Sequence, residues 1–376
     1  MEQATKKEDC KAKFLAYVKA LPKRFFITAF SGMAQGLFVT LIAGTILFQI
    51  AGWINKIGGG NYVGETLTYI ANIAKTLMGA GIGVGIAHSL GKNKLLTFSA
   101  AVAGMVGAFA DKLMPGGVGL AALTLGAPGN PIGSYVVTML VVEIVGLYAG
   151  KTKLDILLVP LGALVLSLGG VFLAYPFIQF VVKLGDWIAL ATKATPFLMG
   201  VVIAVVMGIL LTMPTSSAAI WIAVTTNVAA GNAEAILLAG GAATVGCACH
   251  MVGFAVASYR ENKVSGLISQ GIGTSMLQIP NIMKKPIIMA PMVVSSAICG
   301  PLSTCVFGLK CGAAGGGMGT SGLVGVFGLI EETNGVLGGV GIVLLMFVLP
   351  ILLNLLISEF MRKKGWIAYG DMKLDD

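Results

Sequence analysis

The sequence predicts an all-α polytopic membrane protein, with about ten transmembrane helices and two or more re-entrant hairpins. Three observations carry that prediction. Of 376 residues, 56% are hydrophobic and only 11% charged, and mean hydropathy is +0.91; an ordinary soluble domain has roughly 25% charged residues. Apolar runs recur at the ~20-residue length that crosses a bilayer. Between them lie glycine-dense apolar stretches carrying hydroxyls and amides, placed where the topology leaves no room for a further crossing.

The elements follow in order. Residues 1–25 read as a cytoplasmic amphipathic helix, because Phe14, Leu15, Val18 and Leu21 recur at helical spacing among lysines, a pattern that lies flat on a membrane surface. No signal peptide is expected: charged residues fill positions 2 to 13, and the first apolar run is too long for such a segment. A transmembrane domain occupies 26–361, with spans at 26–53, 66–90, 133–150, 154–176, 196–213, 233–258, 286–309 and 336–361, and shorter candidates at 95–110 and 216–230. Phe177, Phe180, Val181, Trp187 and Ile188, mixed with Lys183 and Asp186, suggest a second interfacial helix over 177–195, outside. Residues 362–376 form a short cytoplasmic tail.

Charge sets the orientation. Lys and Arg number 25 against 16 Asp and Glu, a net +9, which in a soluble protein would suggest nucleic acid. Here basic residues hold cytoplasmic loops inside. With both termini cytoplasmic, Lys92, Lys94, Lys151, Lys153, Arg260, Lys263, Lys284, Lys285, Arg362, Lys363, Lys364 and Lys373 join the basic N-terminus on that side. The outer loops keep only Lys56, Lys112, Lys183, Lys193 and Lys310.

Neither metal nor cofactor is expected. The six cysteines form no CxxC pair, and in the string Cys247-Ala-Cys249-His250 neighbouring side chains do not share a helix face. The 53 glycines show no collagen period; small residues let membrane helices approach closely.

Two segments stand out. Residues 264–282 have both ends cytoplasmic yet are mostly apolar, so they must dip in and return; 312–335 do the same from outside. Both carry a G-x-G-T-S-x-L string: Gly271, Gly273, Thr274 and Ser275 in one, Gly317, Gly319, Thr320 and Ser321 in the other. Non-helical backbone at membrane depth is tolerated only where protein buries it or a cavity hydrates it, and transporters place substrate where discontinuous helices meet. The competing reading is simple helix packing by small residues. A third polar break holds Thr212, Pro214, Thr215, Ser216 and Ser217, followed by Thr225, Thr226 and Asn227. Gln270, Gln278 and Asn281 are the amides best placed to orient a polar solute.

Intramembrane ionisable residues are functional candidates by default. Lys75 and Glu143 read as a pair, Glu359 as an interfacial partner of Arg362 and Lys363, and His88 as interfacial. Arg260, Glu261 and Asn262 form a charged cluster at the cytoplasmic mouth. His250, after a tract of small residues, is a cavity candidate, and Glu331 with Glu332 closes the second segment.

The strings SGMAQGLF (31–38), GTIL (44–47), GNPIG (129–133), GKTKLD (150–155), MVGFA (251–255), REN (260–262) and QGIGTSMLQIPN (270–281) together resemble the EIIC-like membrane family of the bacterial phosphotransferase system that includes the perfringolysin O regulator proteins. The resemblance runs over nearly the whole chain. It implies a multi-pass permease of the bacterial inner membrane, usually a homodimer among membrane lipid, taking up a sugar-like solute. In related sugar permeases a membrane histidine and a glutamate in a G-[IL]-T-E-like string touch sugar hydroxyls; His250 is the counterpart this implies for the first. Gly328-Leu-Ile-Glu331 is a partial echo of the second, without the threonine. With no phosphorylatable module in this chain, phosphorylation of the solute requires separate EIIA and EIIB proteins.

The leading function is therefore an alternating-access permease for a small polar solute, with the two glycine-hydroxyl strings and the Pro214 break forming the site. The alternatives are a membrane sensor or regulator that binds a solute without moving it, and a transporter uncoupled from phosphorylation. No catalytic residues are identified: an intramembrane enzyme lacks both a zinc ligand set and paired intramembrane aspartates.

Overall fold

A computed structural model describes residues 21–58, 62–114, 129–213, 217–225 and 228–374. The N-terminal helix expected before residue 21, together with Pro214, Thr215, Ser216, Thr226 and Asn227, lies outside the described residues. Those described are helices and their connections, with no strand among them. Five helices are long and apolar enough to cross a membrane, or six if a bent pair counts as one span.

The first half is built by glycine. Helix α1 (Leu21–Asn55) packs on α3 (Met78–Ser89), which follows α2 (Tyr62–Thr76) at a 51° bend. Gly32 and Gly36 of α1 face Gly85 and Gly81 of α3 so closely that a Cβ on Gly32 would stand 2.4 Å from the Gly85 carbonyl oxygen. This is the small-xxx-small packing by which membrane helices associate without a hydrophobic drive. Helix α4 (Lys94–Ala108) starts where the Asn93 side chain accepts from the Leu96 N–H. Helix α5 (Pro131–Val145) starts similarly at Asn130, with Pro131 in its first turn; an N-cap followed by proline opens a helix at little cost.

Helix α6 (Asp155–Ala194) runs 40 residues without interruption, and here the structure corrects the sequence reading. A span to 176 with a separate interfacial helix beyond it is not what forms. Pro160 and Pro176 lie inside the helix, as membrane helices permit when neighbours satisfy the freed backbone groups. Asp186, one of the charges that suggested an interface, accepts from the Ala229 N–H and the Asn232 side chain.

The second half surrounds α9 (Ala233–Ala257). Its apolar window is 83% buried against 28% for α6, which makes α9 the central post and α6 a peripheral helix. Helix α7 (Pro196–Thr212) approaches it through Gly246, whose Cβ would meet the Ala204 carbonyl at 2.0 Å. Helix α8 (Ser217–Thr225) has nine residues, about 14 Å, so the run 216–230 does not form one spanning helix. After α9 the chain makes α10 (Tyr259–Ile268), a π turn (Ser269–Gly273), extended Thr274, a 3-10 turn (Ser275–Gln278) and α11 (Ile279–Lys284). Helix α12 (Pro286–Val306) packs on α7 and α9. A non-helical stretch then leads into α13 (Val324–Glu332), and α14 (Val336–Lys363) closes the bundle. Its end is a Schellman turn: Gly365 takes φ +73°, Gly365 N–H donates to the Arg362 carbonyl and Trp366 N–H to that of Met361. The chain is thereby reversed against α10 and α11.

Candidate functional site

The small-residue tract of α9 is what positions the site. Cβ atoms at Gly240 and Gly241 would stand 2.1 and 1.9 Å from the carbonyls of Cys311 and Leu309, and the Cys311 N–H donates to the Leu237 carbonyl. The backbone of 309–319 thus lies directly on α9. Its turn at Gly319, φ +56°, leaves a Cβ only 2.8 Å from Ala248 N; glycine alone adopts that conformation freely and alone fits the space.

There the two G-x-G-T-S-x-L strings touch. Thr320 Oγ1 donates to the Gly271 carbonyl at 2.6 Å, and Ser321 Oγ donates to the Gly273 carbonyl at 3.0 Å. The hydroxyls of one string satisfy backbone acceptors that the π turn and extended Thr274 leave free in the other. Thr320 Oγ1 also lies 3.6 Å from the Met251 sulfur.

The third break joins both strings through its two described ends. Thr212 Oγ1 lies 2.9 Å from His250 Nδ1 and 3.1 Å from Ser275 Oγ. Ser217 Oγ donates to the Gly317 carbonyl at 2.7 Å. Thr212, His250 and Ser275 are all fully buried. His250 Nε2 and Trp221 Nε1 have no hydrogen-bond partner among the described residues, the indole nitrogen facing Gly316. Thr212 and Ser217 belong to the third polar break read from the sequence, whereas Met251 and Trp221 were not singled out as site residues; the signal for Met251 was its place directly after His250.

Other candidates sit elsewhere. Gln270, Gln278 and Asn281 form an amide relay directed away from the strings' contact. Gln270 Nε2 donates to Ser258 Oγ and the Gly266 carbonyl. Gln278 Nε2 donates to Gln270 Oε1 and the Met372 carbonyl, and Asn281 Nδ2 donates to Gln278 Oε1 and the Lys373 carbonyl. Every N–H of the three amides is satisfied by protein. Glu331 lines a narrow cleft of about 30 Å³ with Thr45, Gly312 and Phe327, room for little more than a water. Gly273 is different again: it is exposed, its φ is not positive, and a Cβ there would meet nothing within 4 Å. A cleft of about 530 Å³, the size of a small-molecule site, opens beside Ser265, Ser269, Leu277 and Pro280.

The charged candidates are paired differently from the sequence reading. Glu143 binds Arg24 at 2.7 Å, while the Lys75 ammonium lies over the Phe48 ring. Glu359 pairs with Arg260, and Arg362 with Glu261. Among the described residues no cluster of His, Cys, Asp and Glu is arranged to hold a metal.

Long apolar helices around a buried polar centre, where the two glycine-hydroxyl strings meet beside Thr212 and Ser217, define a polytopic helical membrane protein. Residues 27–374 match the family model described as Phosphotransferase system, EIIC, and the chain belongs to that family. Membership makes it a membrane permease component of a phosphotransferase system. No curated protein matches the chain.

Proposed function

We propose that this protein is the IIC permease for a sugar-like solute in a bacterial cytoplasmic membrane, both termini cytoplasmic, working as a homodimer by alternating access with separate EIIA and EIIB proteins supplying the phosphoryl group. The observation that supports it is the contact of the two glycine-hydroxyl strings with each other and with Thr212 and Ser217, Thr212 also reaching buried His250. Discontinuous segments that converge offer unpaired backbone groups and hydroxyls to a substrate. In this reading 264–282 and 312–335 are re-entrant, from the cytoplasm and from outside, with Gly271, Gly273, Gly317 and Gly319 at their tips and Pro214 at the third break. Thr274, Ser275, Thr320, Ser321 and His250 surround the solute, with Thr215 and Ser216 joining them on the sequence argument. Glu331 acts from its own cleft, and Gln270, Gln278 and Asn281 act one layer out. Phosphorylation needs no catalytic group here: the permease binds and orients a hydroxyl, and EIIB delivers phosphate.

The test is uptake into proteoliposomes of a panel of radiolabelled monosaccharides and disaccharides, with and without EIIA, EIIB and phosphoenolpyruvate-driven phosphorelay proteins. Accumulation of phosphorylated sugar that depends on EIIB supports the reading. A sugar that binds the detergent-purified protein tightly but never crosses would make it a sensor, and uptake indifferent to EIIB would make it an uncoupled transporter.

A further inference from the structure

The amide relay ends on the chain's own C-terminus, and that segment is docked as a ligand would be. After the Schellman turn, Trp366 packs edge-on against Phe360. Ile367 and Met372 are buried, in a cluster with Phe254, Ile282, Ile288 and Met292. Between these two anchors Gly370, at φ +97°, turns the chain, and its N–H donates to Glu261. Asp371 accepts from Lys285 at 2.7 Å. Beyond it the backbone is gripped by side-chain amides. Asn262 donates to the Met372 carbonyl at 2.8 Å and accepts from the Leu374 N–H at 2.9 Å, closing on the chain much as a neighbouring strand would. Gln278 and Asn281 take the carbonyls of Met372 and Lys373.

We infer that residues 366–374 are a latch, docked in a backbone-reading groove made by Asn262, Gln278 and Asn281 and pinned by Lys285 through Asp371, that holds the segment 259–284 and with it the Gly271–Gly273 tip in place. Three features carry this. The grip is on main-chain carbonyls and an N–H, so it fixes position rather than merely filling space. The relay then continues through Gln278 to Gln270, the residue next to Gly271, whose carbonyl receives Thr320. Lys373 and Leu374 also form part of the wall of the 530 Å³ cleft, so a latched tail narrows the mouth beside the tip and a released tail widens it. Gln270, Gln278 and Asn281 are in this view positioning residues. The consequence for solute release rests on the permease reading; the latch itself does not.

Hydrogen–deuterium exchange on the detergent-purified protein separates the two. Ending the chain after Gly365, or substituting Met372→Asp in the full-length protein, should raise amide exchange across 259–284 by about tenfold or more, as expected when a local unit loses its docking contacts, while the Asp155–Ala194 helix is unchanged. Adding the peptide WIAYGDMKLDD to the truncated protein should restore protection in a saturable way. Tyr369→Ala, at an exposed position, should change nothing. Unchanged exchange across 259–284 in both variants would overturn the latch. So would equal loosening of Asp155–Ala194, because the tail would then stabilise the whole bundle rather than one segment. If no sugar proves to be transported, the exchange result still stands or falls by itself.

Discussion

At the scale of single residues, the two glycines that sequence alone treats alike separate. Gly319→Ala places a methyl 2.8 Å from Ala248 N on a backbone at φ +56°, combining a clash with a left-handed conformation that costs of order 1 to 3 kcal/mol. A drop of several degrees in thermal midpoint and reduced yield are the expected outcome, measured by thermal shift in detergent. Gly273→Ala meets open space and should leave the midpoint within about a degree. If it nevertheless abolishes uptake, the methyl has entered space that the solute needs; normal uptake would remove Gly273 from the solute path. Asp371 gives a pH signature. Burial opposes its ionisation, but the hydrogen bonds from Lys285 and the Ala368 N–H, with the Lys285 and Arg362 charges, outweigh it and hold the carboxyl below its ordinary 3.8. A carboxyl lowered on folding contributes stability that is fully present above the unfolded value and lost as pH falls through the folded one. Protection of 259–284 should therefore be flat from pH 8 to 5 as far as Asp371 governs it. It should weaken only below about pH 4, and Asp371→Asn should abolish that acid-dependent step. A step near pH 6 that survives the substitution would assign the titration to another group.

At the scale of elements, the contact between the two strings is the measurable unit. Thr320→Val and Ser321→Ala each remove a hydroxyl that donates to a carbonyl of the other string. Thr320→Val should cost about 1 to 3 kcal/mol, since the Gly271 carbonyl is left unpaired in a part-buried place, whereas Ser321→Ala should cost less, about 0.5 to 1.5 kcal/mol, because water can reach the exposed Gly273 carbonyl. Exchange at Ile272 and Thr274 should quicken in both; if it does not, the tips are held by packing on α9 alone. Much of this level was legible beforehand. Long apolar runs gave α1, α7, α9, α12 and α14. Two features were illegible for definite reasons. Pro176, Lys183 and Asp186 look like a helix end, because nothing local says that Asp186 finds Ala229 and Asn232 more than forty residues later. The amides of Gln278 and Asn281 look like solute ligands because two of their acceptors lie some ninety residues downstream in the tail, and Gln270 because nothing local says that it closes on Ser258 and Gly266. The hydroxyl doublet could be seen in sequence, but its direct contact could not, since only the bare face of α9 brings the two backbones together.

At the scale of the whole molecule, orientation turns on how the chain gets from Thr212 to Ala233, where the α-helix among the described residues is the nine-residue α8. Helix α6 begins beside Lys151 and Lys153, whose charge favours the cytoplasm. Asp186 lies roughly 45 Å farther along that helix, more than the ~30 Å hydrocarbon core, so it emerges outside unless α6 is steeply tilted. Because Ala229 and Asn232 bind Asp186, they share its side. Thr212, at the other end, binds Ser275 in the segment that the basic residues Arg260, Lys263, Lys284 and Lys285 anchor inside. In the proposed topology the stretch between then crosses, with α8 supported by Gly316 and by Gly317 of the opposite string, and the proposed placement of both termini on one side depends on that crossing. Gly231 has open space around it, so a cysteine there should fold normally; with exposed Cys305 replaced by serine, Gly231→Cys should react with a membrane-impermeant maleimide from outside intact cells. Thr152→Cys and Tyr369→Cys should react only after the membrane is opened. Labelling of Gly231→Cys solely from the cytoplasmic side would mean that the chain turns back at α8. The termini would then lie on opposite faces, and the two strings could not approach each other from opposite sides of the membrane.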